Sequence, residues 1–322
     1  GRTSQSTIIY EVLDCACGLT DAKGNLIGQA NGATMFLGAI TYSVKSVLNK
    51  FPLEKIKPGD IFLTNDPYTG SATHLCDVAA VLPIFYQGEL VAFASNKGHW
   101  NEIGGKNLGS WSTNSTEIYQ EGICFPVIKV YEEDKLNEAV RDLIESNCRT
   151  PEMTLGDLYA QTASLRVAGK RVVEIFEKYG KEAVLESIET LLENGRKLAL
   201  KELAALPKGT FEAEDYIDTG ANGLPDVYVR VKVTITDEEL ILDYTGSDAQ
   251  VAAPINCSIY GTLSAGRIIL QALLNPHAEA NEGFYSPLKV IVPEGTVFSA
   301  VSPAPVSCDW EAFQFATDLV MK

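Results

Sequence analysis

His74, Asp77 and His99 have the donor types of a metal site. Two neutral imidazoles and one carboxylate suit Zn, Mn or Fe(II) and leave coordination positions for water or substrate. A lone histidine is more often a hydrogen-bonded or surface residue, and His-x-x-Asp is common by chance, so geometry has to carry the case. Two apolar runs, 78–86 and 89–95, flank Gln87-Gly88, which signals a two-residue hairpin loop. Regular pairing from that turn sets His99 opposite Cys76 and His74 opposite Asn101. The two rings then share a face as diagonal neighbours about 7 Å apart. Asp77 faces away in a regular strand and joins them only if 73–77 bends. The turn-forming Asn65-Asp66-Pro67-Tyr68-Thr69-Gly70-Ser71 ahead of it permits that. Pro83 marks an edge strand or a bulge. Cys76 beside His74 offers a thiol nucleophile as a competing use of the same residues.

The elements around this ribbon follow from periodicity. Residues 6–50 read as a strand (Thr7 to Leu13), a turn (Asp21 to Asn25) and a helix with Ile40, Val44, Val47 and Leu48 on one face. Residues 150–206 read as an antiparallel helical pair. Thr154-Leu155-Gly156-Asp157 resembles a capping box, and Gly180 is placed as a C-terminal stop. Val227, Val229, Val231, Val233 and Ile235 alternate with polar residues as a half-buried strand, and 240–244 pairs back on it. A helix near 262–274 and a strand near 288–292 follow. The fold class is α+β (mixed α/β): sheet segments with hairpins plus a long helical pair. Three regions are expected: 1–149, β-rich and metal-binding; 150–206, the helical pair; and 207–322, a second β-rich region.

The chain has 322 residues, 46% of them apolar and 21% charged, as in an ordinary globular protein. A formal charge of −16, with no basic cluster, speaks against nucleic acid as a partner. No apolar run is long enough to span a membrane, and no secretory core follows Gly1. Seven cysteines without an even framework read as reduced thiols in a cytoplasmic protein. Cys15 and Cys17 are expected to be buried small residues rather than ligands. There is no phosphate-binding glycine loop, so any ATP must be bound by another chain.

Several segments together resemble the hydantoinase B/oxoprolinase family. Gly59-Asp60-Ile61-Phe62-Leu63-Thr64-Asn65-Asp66-Pro67-Tyr68 followed by Thr73-His74-Leu75-x-Asp77 is similar to its GD-x-[FY]-x-x-NDPY…THLPD signature. Gly98-His99-Trp100-Asn101-Glu102-Ile103-Gly104-Gly105 resembles its AHH-x-D-[IV]-GG block, and 115–122 matches STEIYQEG. Asn147-x-Arg149-x-Pro151 with 156–161, Asp243 to Ser247 and Asn281-Glu282-Gly283 also fit, so the likeness runs in order over about 4–306. Trp100 stands for the second histidine and Cys76 for a proline. The histidine-tryptophan pairing resembles members nearer the acetone and acetophenone carboxylases.

The resemblance implies a divalent metal (Mn, Zn or Fe) held by Asp14, His74, Asp77 and His99. The first of these is found only through the family's E-x-x-D segment. It implies a subunit of an ATP-dependent cyclic-amide hydrolase, acting on a small-molecule substrate that a hydantoinase A-like ATP-binding subunit phosphorylates, in a hetero-oligomer. The alternative is a subunit of an ATP-dependent ketone carboxylase. Asp66, Asn101 and Glu102 are the candidates for orienting the histidines, with turn formation as the plainer reading. Members of the family start earlier and continue further, so the chain is expected to be a fragment or one half of a split subunit.

Overall fold

The computed structural model describes residues 3–30, 32–219 and 223–322. Where Thr7 to Leu13 predicts a strand, the chain forms a helical turn, α1 (Thr7–Tyr10), and the strand comes later as β1 (Cys15–Asp21). Tertiary anchoring overrides local propensity here: the Asp157 carboxylate accepts from the backbone N–H of Gln5 (2.7 Å) and Ser6 (3.2 Å) just before the turn. Asp21 closes the expected turn by accepting from Lys23 and Asn25, and β2 (Leu26–Gln29) returns. Cys15 is half-buried and Cys17 exposed, so neither is the buried small residue expected. Both belong to a strand near one margin of the sheet. Helix α2 (Thr34–Lys50) buries Phe36, Ile40, Val44 and Val47, one stripe at helical spacing.

Then come β3 (Ile61–Thr64), β4 (Asp77–Tyr86), β5 (Glu89–His99), β6 (Ile128–Glu132) and β7 (Lys135–Leu136). With β1 and β2 they form a seven-stranded antiparallel sheet in the order β2-β1-β5-β4-β3-β6-β7. Gln87 and Gly88 both take positive φ (52° and 82°), the backbone a tight hairpin turn needs. Because β4 and β5 are interior strands covered on both faces, they read as continuous apolar runs rather than alternating ones. Pro83 does not mark an edge strand. It lies beyond the stretch of β4 that pairs with β3, where the missing N–H is harmless.

Helices α3 (Glu138–Asn147), α4 (Pro151–Tyr179) and α5 (Lys181–Ala205) follow, with Gly180 (φ 83°) as the stop between the last two. Thr154 and Asp157 lie inside α4, which starts earlier, with Pro151 in its first turn, so they do not form a cap. Helix α4 packs on β4 and β5, with Leu158, Leu165, Val172 and Phe176 against Val78, Ala80, Leu82 and Ala94. The other face of the sheet takes α2, whose Val44 and Val47 meet Phe62, Val81 and Phe93.

A second sheet holds β8 (Gly209–Ile217), β9 (Val227–Ile235), β10 (Leu240–Asp243) and, after α6 (Ile259–Leu274) and α7 (Glu282–Tyr285), β11 (Leu288–Ile291), in the order β11-β10-β9-β8. Only the β10–β11 pair is parallel. The chain closes with α8 (Trp310–Met321), which packs on α6, β8 and β9. Helix α6 crosses α2, and α5 packs on α7. The architecture is α+β, with two mostly antiparallel sheets and helices on their faces. Among the described residues no helix is long and apolar enough to cross a membrane.

Candidate metal centre

The register of β4 and β5 decides what lies beside His99. Pairing runs regularly from Tyr86–Glu89 to Phe85–Leu90 and then skips Val91, an extra residue in β5, so that Ile84 faces Ala92. This one-residue shift sets Asp77, not Cys76, directly opposite His99. The bulge that Pro83 hinted at thus lies one pair further on and corrects the regular pairing. Directly opposed residues share a face, and on that face β4 and β5 carry Asp77 and His99 together with Val81 and Phe93. On the other side of His99 its backbone N–H donates to the carbonyl of Asp14 at 3.1 Å, continuing the β1–β5 ladder one step. Asp14, His99 and Asp77 therefore stand side by side across three adjacent strands.

His74 does not lie in a strand. Residues 73–76 bend ahead of β4, as the carboxylate required, with the Asp77 N–H closing onto the His74 carbonyl at 3.1 Å. Asn65 holds this bend in place: its amide donates to Leu75 (2.6 Å) and Ile123 (2.8 Å), and its oxygen accepts from Phe125. The ring centroids of His74 and His99 are 5.1 Å apart, closer than regular pairing predicts. His74 Nδ1 is 3.2 Å from Asp77 Oδ2 and 3.0 Å from Asp309 Oδ1. Asp309 is fully buried where α8 begins, and nothing in the spacing of the sequence points to it. An Asp ahead of a periodic apolar stretch was the one available signal.

Burial and charge set the protonation of this cluster. Burial works against a charged His74, but the carboxylates of Asp77 and Asp309 outweigh it and raise its pKa to about 9. Burial, then the charge of His74, lowers His99 to about 4, so that ring is neutral and its lone pair free. Burial, then Asp77, raises Asp14 to about 6, and burial raises Asp309 as well.

Asp77 Oδ1, His99 Nδ1 and Asp309 Oδ2 are all buried and have no hydrogen-bond partner among the described residues. A buried polar atom left in this state costs about 1–3 kcal/mol, and three in one cluster are what a bound cation would satisfy. The donor types gathered here, the imidazoles of His74 and His99 and the carboxylates of Asp77 and Asp309, would suit a divalent metal, and Asp14 is near enough to feel the charges of Asp77 and His74. Among the described residues one set of three, His74, Cys76 and His99, has a donor atom from each residue within 4.8 Å of the others. The carboxylates of Asp77 and Asp309 are the more available partners for the two rings. Asp77 Oδ1, His99 Nδ1 and Asp309 Oδ2 are buried and without a partner among the described residues, whereas the thiol of Cys76 already points at the Ser110 carbonyl (3.9 Å) and burial, the largest cause, raises its pKa well above the usual value.

The remaining sequence candidates are placed differently. Asp66 accepts from the N–H of Tyr68 (2.8 Å) and of Thr69 (3.3 Å), the turn-forming use. Glu102 accepts from Gly104 (2.6 Å), the Ser110 hydroxyl (3.0 Å) and the Arg149 guanidinium (3.0 Å). Asn101 is a half-buried bend residue two positions past His99. No hydrogen bond joins Asp66, Asn101 or Glu102 to either ring among the described residues, because each carboxylate is committed to its own loop. Trp100 points to the opposite face from His99, where it is fully buried and donates to Gln161 Oε1 at 2.7 Å. His277 is exposed in the loop after α6.

The whole chain, residues 1–322, matches the sequence profile of Hydantoinase B/oxoprolinase. It is 31% identical over all its length to a putative D-/L-hydantoinase component, of the B type, from a Pseudomonas species, and it covers 57% of that protein. The ATP-dependent caprolactamase structure from Pseudomonas jessenii superposes with a TM-score of 0.89 at 28% identity, over 95% of this chain and 52% of that one. Acetone carboxylase, in its nucleotide-free structure, gives 0.90 at 21% identity over 98% of this chain and 44% of that one, which is a likeness of fold. The chain thus spans a little over half the length of that hydantoinase relative and about a quarter of the length of the 5-oxoprolinases it matches.

Proposed function

The chain belongs to the hydantoinase B/oxoprolinase family, and from that premise we propose that it is the metal-dependent part of an ATP-dependent cyclic-amide hydrolase. In this reading a partner resembling hydantoinase A uses ATP to phosphorylate the amide oxygen of a small cyclic substrate, and this chain completes ring opening. The observation that carries the proposal is the gathering of His74, Asp77, His99 and Asp309, three of whose buried atoms have no hydrogen-bond partner among the described residues, with Asp14 near enough to feel the charges of Asp77 and His74.

Asp14, His74, Asp77 and His99 would hold the cation. When bound, it supplies Lewis acidity and lowers the pKa of water toward neutrality. Asp309 accepts from His74 Nδ1 and so fixes the tautomer, leaving Nε2 for the metal. His99 stays uncharged through neutral pH because burial holds its pKa down. Phosphorylation turns the amide carbon into a good electrophile. Water then adds there, the carbon–nitrogen bond breaks with a proton passing to nitrogen to leave an acyl phosphate, and a second water hydrolyses that to the carboxylate and inorganic phosphate. Glu102 acts at a distance, holding the 102–110 loop against Arg149 rather than touching a ring. Seven free thiols accord with a cytoplasmic setting.

Trp100 does not favour the carboxylase alternative, because position 100 faces α4 and not the ligands. The two reactions are separated by supplying the reconstituted complex with ATP, a lactam or hydantoin, and labelled bicarbonate. ATP-dependent ring opening without label in the product is the expected result. Label in the product would sink the hydrolase reading.

A further inference from the structure

Arg267 is buried within α6, 4% exposed, and its guanidinium lies between two rings, 5.0 Å from that of Tyr42 and 4.8 Å from that of Tyr285. Its Nη2 donates to Glu282 Oε1 (2.9 Å), and Lys45 Nζ donates to the same oxygen (3.1 Å). Two cations thus share one carboxylate, and one positive charge is left over. The Tyr42 hydroxyl also lies beside the guanidinium, yet Nη1 itself is buried and has no hydrogen-bond partner among the described residues. A charged donor in that state has lost its water without a replacement, which is costly. Arg267 lines a cavity of about 590 Å³ between β2, the start of α2, α6 and the loop after it. That is the size of a small-molecule site. Gln29 Oε1, a buried acceptor, is likewise without a partner and lines the same cavity. Glu279 is exposed at its rim, and Ile27, Leu37 and Ile268 supply apolar wall. The metal centre lies elsewhere. Ser258, which caps α6, donates to the Ala72 carbonyl next to the His74 bend (2.8 Å), and Arg267 is roughly 13 Å further down the helix.

A cationic donor without its anion, an acceptor without a donor and an exposed carboxylate, set beside apolar wall, complement one kind of molecule. We propose that this cavity binds a free α-amino acid with an apolar side chain: its carboxylate on Arg267 Nη1, its ammonium on Gln29 Oε1 towards Glu279, and its side chain against Ile27, Leu37 and Ile268. Glu282, which the metal centre does not use, holds Arg267 in place for this purpose. The test is calorimetry on the full chain with L-leucine, with L-leucinamide, which lacks the carboxylate, and with isocaproate, which lacks the ammonium. L-Leucine should bind, and the other two should each bind roughly tenfold more weakly, the loss of one charge-assisted hydrogen bond. Arg267→Lys should weaken L-leucine by roughly the same factor. Gln29→Leu should weaken L-leucine and leave isocaproate as in wild type. Ala272→Phe, which fills the cavity from an exposed position on α6, should abolish binding. Wild type that does not bind L-leucine, or that binds all three compounds equally, overturns the proposal, as does L-leucine binding that survives Ala272→Phe. Isocaproate bound as tightly as L-leucine makes the cavity a simple anion site and overturns the amino-acid assignment. If Arg267→Lys fails to melt cooperatively, Gln29→Leu and Ala272→Phe decide the question. Chelated protein should bind L-leucine as untreated protein does, so failure of the metal reading leaves this result standing.

Discussion

Asp77 and His99 face each other directly across the β4–β5 ladder, and the backbone of His99 is bonded in turn to Asp14 on the strand beyond. The donors of the centre are therefore presented by sheet register, with only His74 and Asp309 arriving from a bend and a helix start. Rigid elements hold ligands more accurately than loops, which gives the following expectations.

Removing a donor should cost more metal affinity than removing the group that orients one. Asp77→Asn and His99→Ala should abolish tight binding of Zn²⁺ or Mn²⁺ in calorimetry. Asp309→Asn should weaken it by roughly 10- to 100-fold, the usual loss for a carboxylate that fixes a ligating imidazole. Cys76→Ser should leave it unchanged. A Cys76→Ser loss as large as that of Asp77→Asn would favour the thiol-containing set.

After chelation, the protein should lose thermal stability as pH rises from 6.5 to about 9. Burial opposes a charged His74, but Asp77 and Asp309 raise its folded-state pKa from 6.5 to about 9. The stabilisation is complete below 6.5 and disappears as pH passes 9. His99 has the opposite sign. Held down to about 4 by burial and then by His74, it contributes stability above 6.5 that is lost as pH falls through 4. Melting curves should show the alkaline slope flattened in His74→Asn and the acid slope flattened in His99→Asn.

Trp100→His restores the histidine pair of the wider family, yet should act on stability alone. The indole packs against Phe125 at 6.1 Å and donates to Gln161. Losing both should cost on the order of 3 kcal/mol in urea unfolding, with metal affinity as in wild type. Tighter metal binding in this variant would mean that position 100 reaches the centre.

Glu102→Ala should destabilise the loop it organises, by roughly 3 kcal/mol, since it strands the backbone N–H groups of Gly104 and Arg149. Its metal affinity should match wild type. A fall in affinity comparable to that of Asp309→Asn would return Glu102 to a role in orienting the histidines.

Much of this was legible in the residues. The turn at Gln87-Gly88, the alternation from Val227 to Ile235, the Gly180 stop and the nearness of His74 to His99 all follow from local rules. Thr7 to Leu13 misled because tethering to Asp157 outweighs the propensity of a short segment. Asp309 was not legible because it meets His74 from 235 residues away, and no local pattern encodes such a contact. Asp77 joined the rings only on condition that 73–77 bends, while regular pairing pointed it away, since an inserted residue in a strand leaves no trace in a hydrophobic pattern.

That inserted residue, Val91, is buried near the hairpin end of β5, while His99 closes the opposite end. Its identity should be freely exchangeable for another aliphatic side chain, but its presence should not. Losing this single codon would slide the strand one notch and turn His99 toward Cys76 instead of Asp77, disarming the centre without altering any residue in it. The side chain at 91 is open to change, whereas the number of residues from Gly88 to His99 is set by geometry.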